Sequence, residues 1–169
     1  ALKAIAFPNV QSVQIIFNVF RQRPAALFFA AAQRRKVGIL ARVPLASGLL
    51  SGKISRASKF AKADHRNFNR HGQAFDRGET FSGVDFETGL RAVGQLKKLV
   101  PPGASLAQMA LRWILESPVV TCAIPGAKRP AQVSENIAAS DLKRLSPATL
   151  QQISRLYAKQ IRPLVHHYW

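Results

Sequence analysis

Apolar positions along the chain fall into short runs and helical stripes that alternate. Val13–Asn18 (VQIIFN) is short, apolar and β-branched, which predicts a buried strand. Pro24 then opens an Ala- and Phe-rich stretch ending in Arg34-Arg35-Lys36. Proline at a first helical position and cations at the far end predict a helix there. Val37–Val43 (VGILARV) predicts a second strand. Strand, helix and strand in about 30 residues make a βαβ unit, with parallel strands covered on both faces.

Residues 44–86 break the rhythm. They hold Gly48, Gly52, Gly72, Gly78 and Gly83 and show no period, so a long loop inside the domain is expected, either functional or disordered. Leu90, Val93, Leu96, Leu99 and Val100 then recur at helical spacing until Pro101-Pro102-Gly103. Ser105 and Gln108 match a capping box, ahead of a helix with Leu106, Met109, Ala110, Trp113 and Ile114 on one side. Val119–Ile124 (VVTCAI) predicts a third strand, stopped by Pro125-Gly126. Pro130 starts a helix running to about Ala139, and Ser146-Pro147 opens another. The expected order is β-α-β-loop-α-α-β-α-α, one α/β unit over residues 1–169 with two open sheet edges. Open apolar edges invite pairing, so a protein partner covering them is expected.

Composition sharpens this picture. The 169 residues carry 25 Lys and Arg against 8 Asp and Glu, a formal charge of +17. Residues 1–63 hold eleven of the cations and no acid. Such a surface attracts polyanions, and nucleic acid is a possible partner. The 47% hydrophobic content excludes a disordered basic tail. One cysteine excludes a disulfide scaffold and a multi-cysteine zinc site. No apolar run approaches the roughly 18 residues of a membrane span. The start at Ala1 leads us to expect a processed chain or a piece of a longer one. The acid-free beginning reads as strand–helix–strand, so a cytoplasmic location is expected, with a mitochondrial one as the alternative.

The sharpest chemical feature is the turn Pro125-Gly126-Ala127-Lys128-Arg129 between the third strand and a helix. Free N–H groups, the helix dipole and two cations suit a phosphate. Lys53, after Gly48 and Gly52, is a weaker phosphate candidate, because the spacing is not that of a P-loop. Gln132, Glu135 and Asn136 share a helical face that can hydrogen-bond a nucleoside or simply face water. Cys122 reads as an inert buried thiol, and His166-His167 as a solvated terminal pair. His65 and His71 lack a metal-ligand partner at suitable spacing. The chain offers binding chemistry without a self-contained catalytic set.

The run Val37–Lys53 (VGILARVPLASGLLSGK) resembles the seventh-strand segment of aldo-keto reductases. Ala110–Leu115, Val120-Thr121, Ile124–Ala127, Gln132 and Glu135-Asn136 resemble the eighth-strand cofactor motif, and Gln14 and Asn18 the sixth-strand pattern. The resemblance runs over nearly the whole chain. It implies the C-terminal half of a (β/α)₈ TIM-type barrel that uses NADP(H) to interconvert carbonyls and alcohols, with a small carbonyl substrate. It further implies that Gln14 holds the nicotinamide amide and that Arg42 stands where the family has a stacked aromatic. Pro44, Leu45, Ser47 and Lys53 would line the pyrophosphate; Gly126, Lys128, Gln132, Glu135 and Asn136 would hold the 2′-phosphate and adenine. Such barrels usually need about 250 residues. The family's catalytic Asp, Tyr, Lys and His belong to the other half, so no catalytic residue is assigned to this chain. The alternative is a non-enzymatic basic half-barrel, a structural or RNA-contacting subunit of a larger assembly.

Overall fold

The computed structural model describes residues 1–168; Trp169, the last residue of the tail, lies outside the described residues. Three strands form one parallel sheet in the order β1-β2-β3: β1 (Ser12–Ile16), β2 (Gly38–Arg42) and β3 (Val120–Ala123). β2 and β3 are each one residue shorter at both ends than their apolar runs, whereas β1 begins one residue before its run and ends two residues before the run does. Beyond β1 the chain turns at once, because Asn18 and Arg21 exchange backbone hydrogen bonds across a bridge. The register Gln14↔Leu40 and Leu40↔Cys122 puts these three residues on one face of the sheet. A bulge between Ile39 and Leu40 leaves Thr121 unpaired, and its hydroxyl accepts the Ile39 N–H at 3.1 Å.

The helices are α1 (Phe28–Arg34), α2 (His65–Phe68), α3 (Phe86–Leu96), α4 (Leu106–Leu115), α5 (Pro130–Ile137), α6 (Pro147–Leu156) and α7 (Arg162–Val165). Pro24 opens only a single 3₁₀ turn, and α1 begins four residues later. The Ser105–Gln108 capping box is formed, and Ser146 caps α6 ahead of Pro147. Helix α5 ends at Ile137, two residues before the expected Ala139.

Burial splits the sheet into two unlike faces. Val13, Ile15, Ile39, Ala41, Val120 and Ala123 pack against Phe17, Phe28, Phe29, Ala32 and Ile114. The opposite face carries Gln14, Ile16, Leu40, Arg42 and Cys122, all exposed or half-exposed. Cys122 is thus half-buried on this open face, not enclosed as its apolar neighbours suggest. A second core joins the turn Ala46–Ser51 to α3, α4, α6 and α7, through Leu49, Leu96, Met109, Ile153 and Val165. At Gly89 on α3 a Cβ would stand 2.8 Å from Leu49 Cδ1, so glycine here permits the close approach of the turn to the helix.

The long segment 44–86 is folded. Three 3₁₀ turns (Ala46–Ser51, Arg77–Glu79, Phe81–Gly83) and α2 punctuate it. Phe81 and Val84 are buried in the second core. Residues 46–48 and 81–83 each run three in a row through the left-handed region, with four non-glycine residues among the six. Ser47 ties the two together: its hydroxyl donates to the Glu79 carbonyl at 2.8 Å and accepts the Phe81 N–H at 3.1 Å.

Asp64 caps α2 and also takes two side-chain hydrogen bonds from Arg66, at 2.9 and 2.6 Å. The Arg66 guanidinium lies 4.4 Å from the centre of the Phe60 ring, which packs on Phe81 and Phe86. These hydrogen bonds from Arg66 hold the Asp64 carboxyl down, at about 2. A carboxyl depressed in the folded state stabilises above its unfolded pKa and loses that contribution as pH falls through the folded value. Protease cleavage within 44–86 is therefore expected to rise between about pH 4 and pH 2, and Asp64→Asn to flatten that rise.

Among the described residues, no helix is long and apolar enough to cross a membrane.

Candidate functional site

All three strands run parallel, so their C-terminal ends gather at one rim. In parallel α/β folds ligands bind at that rim, because loops and helix N-termini converge there. Asn18 joins the rim together. Fully buried, it donates Nδ2 hydrogen bonds to the Val43 carbonyl and the Ser82 hydroxyl, both at 2.8 Å. Its Oδ1 accepts the Phe20 N–H, also at 2.8 Å. The ends of β1 and β2 and the 81–83 turn are thereby fixed to one amide.

Around this anchor the structure places the sequence-derived candidates unequally. Gln14 is exposed on the open sheet face. Arg42, the last residue of β2, lies on the same face by register. Its guanidinium is committed to Glu79 through two hydrogen bonds, at 2.6 and 2.8 Å. Sequence reading missed Glu79, which lies 37 positions away in a segment without periodicity. Pro44 is buried, Leu45 half-buried and Lys53 exposed. Ser47 is occupied by the two bonds just described.

The turn after β3 is the most open part of the rim. A Cβ built on Gly126 meets nothing within 4 Å, so neither packing nor a positive φ requires glycine there. Ala127, Lys128, Arg129, Pro130, Val133 and Ser134 line a shallow depression that is open to solvent. The α5 N-cap, Arg129, makes no side-chain capping bond. Lys128 and Arg129 are exposed and enter no ion pair among the described residues. Gln132 is partly used by the chain, since its Oε1 accepts the Lys128 N–H at 2.7 Å. That bond shapes the turn rather than leaving the amide free. Glu135 is exposed and Asn136 half-buried on the next turn.

A separate titratable cluster pins the C-terminal segment beside the rim. Tyr157 Oη and His166 Nδ1 are 2.8 Å apart, and Arg23 donates to the His166 carbonyl at 2.7 Å. Burial, with Arg162 and Arg23 nearby, lowers His166; burial raises Tyr157. Burial also brings Arg21 down to about 10, against the attraction of Asp76 and Tyr157. The expected solvated histidine pair is therefore split: His166 is engaged and His167 exposed. Among the described residues, no group of three His, Cys, Asp or Glu side chains is placed to hold a metal.

Comparison with known proteins agrees with this architecture. The sequence profile of the Aldo/keto reductase family matches residues 3–158. The chain belongs to that family. It is 30% identical over 156 residues to a protein named probable voltage-gated potassium channel subunit beta from Arabidopsis thaliana, covering 87% of this chain and 44% of that one. It is 35% identical over 124 residues to an L-glyceraldehyde 3-phosphate reductase of Escherichia coli O157:H7, covering 73% and 34%. Among solved structures it is similar to the glycerol dehydrogenase AKR11B4 of Gluconobacter oxydans, with a TM-score of 0.72 and 26% identity over 89% of this chain and 43% of that one. The chain thus spans less than half the length of these relatives. Its open three-stranded sheet is the matching part of a TIM barrel.

Proposed function

We propose that this chain is the NADP(H)-binding half of an aldo-keto reductase-like oxidoreductase, which moves a hydride between NADPH and an aldehyde or ketone. The observation that carries this reading is the open turn after β3. It presents two exposed cations, a glycine the chain's own packing does not need and a helix start with no side-chain cap, around a shallow open depression. That donor set suits a phosphate monoester on a nucleoside.

NADPH supplies the hydride when bound. The chain's own residues bind and orient. Lys128 takes the 2′-phosphate, and Gly126, Gln132, Glu135 and Asn136 surround the adenosine. Lys53 neutralises the pyrophosphate beside Pro44, Leu45 and Ser47. Gln14 offers its amide to the nicotinamide carboxamide, and Arg42 presents a flat guanidinium at the same end. Protonation of the carbonyl oxygen falls to groups on the barrel half outside this chain, which also covers the open sheet edges.

The test is a fluorescence titration of the native gene product with NADPH. Saturable binding that weakens with salt is expected; no binding at millimolar NADPH overturns the reading.

One observation favours a second reading, an RNA-contacting subunit: among the described residues, no lysine forms an ion pair, and all the pairs use arginine. RNA affinity falling steeply with salt, in a protein that ignores NADPH, would support it.

A further inference from the structure

Resting on the proposed NADP(H) site, we infer that Glu79 tunes the preference of that site between the oxidised and reduced cofactor. The geometry is specific. Arg42 ends β2 on the sheet face that also carries Gln14. Both terminal nitrogens of its guanidinium meet both oxygens of Glu79, at 2.6 and 2.8 Å, which fixes the guanidinium plane. The side chains are 34% and 25% exposed, so the pair is reachable from the open side.

Glu79 is itself built into place. Its carbonyl accepts the Ser47 hydroxyl at 2.8 Å, and its turn is capped by Asp76, whose carboxylate accepts the Gly78 N–H at 2.6 Å. The chain thus spends two left-handed turns and a capped 3₁₀ turn to bring one carboxylate to the end of β2.

The consequence is electrostatic. The nicotinamide ring is neutral when reduced and carries a positive charge when oxidised. A lone guanidinium at that end of the site would repel the oxidised ring selectively. The paired carboxylate cancels most of that field, so both forms are held. Glu79 acts through Arg42 and is a positioning and charge-balancing residue.

The experiment measures dissociation constants for NADPH and NADP⁺ on the native gene product, by direct and competition fluorescence titration. Glu79→Gln keeps the shape and removes the charge. It is expected to weaken NADP⁺ roughly tenfold more than NADPH, which raises the potential of the bound couple by about 30 mV. Arg42→Gln leaves the carboxylate alone and is expected to move the ratio the other way. The double variant is expected to restore the native ratio. A purely structural role moves both constants together and with the same sign in every variant; that result, or no change in the ratio, overturns the inference while leaving the proposed function intact. Failure of the native protein to bind NADPH overturns the proposed function and the inference with it.

Discussion

Replacing Asn18 with leucine is expected to destabilise the protein by about 3–5 kcal/mol, the largest single effect foreseen for a polar side chain. Leucine matches the volume but satisfies none of the three partners. The Val43 carbonyl, the Ser82 hydroxyl and the Phe20 N–H each lose a 2.8 Å bond. Asn18 and Ser82 are fully buried, so water does not replace what is lost without opening the rim. A buried polar group left unpaired costs roughly 1–3 kcal/mol. Urea unfolding checks the prediction: the midpoint falls while the slope stays unchanged. Ser82→Ala removes one of the three contacts and is expected to cost about 1 kcal/mol. Equal effects from the two variants would show that Asn18 does not act as the common anchor.

The second large effect concerns affinity. Lys128→Ala with Arg129→Ala is expected to weaken NADPH binding about 100- to 1,000-fold, from two charged contacts of roughly 1.5–2 kcal/mol each. Both side chains are exposed and neither is used in an ion pair, so stability changes little. NADH, which lacks the 2′-phosphate, serves as the internal control and is expected to change less than about threefold. An equal loss for both cofactors would place the two cations against the pyrophosphate that both share, and no loss for either would move the phosphate contact elsewhere, to Lys53. Isothermal titration with both cofactors decides between these outcomes.

The strands were legible in the sequence because parallel strands are buried lengthwise and read as β-branched runs. Helices α4 and α6 were legible because their caps are local: Ser105, Gln108 and Ser146 act within three residues of themselves. What escaped was everything built by long-range polar contacts. Segment 44–86 shows no period because its order comes from 3₁₀ turns, Asp caps and side chains such as Ser47 and Asn69. Asn69 Oδ1 accepts both the Ala74 and Phe75 N–H groups. The Arg42–Glu79 pair leaves no trace in spacing. Cys122 misled for a different reason: an apolar run says that a strand is buried, but not that both of its faces are. The open basic turn after β3 was visible at once, since proline, glycine and two cations signal it within six residues. That Gln132 would close the turn onto the Lys128 N–H was not.

The pairing of β2 with β3 joins Ile39 to Val120, across about half of the chain, whereas β1 and β2 close over a single helix. Closing a longer loop costs more chain entropy before any contact offsets it. The βαβ unit of β1, α1 and β2 is thus the natural early nucleus, and β3 docks late. The rim that holds Gly126 and Lys128 is then the last part of the sheet to be assembled. Substitutions in Ile39 or Phe29 should slow folding, while those in β3 should chiefly speed unfolding.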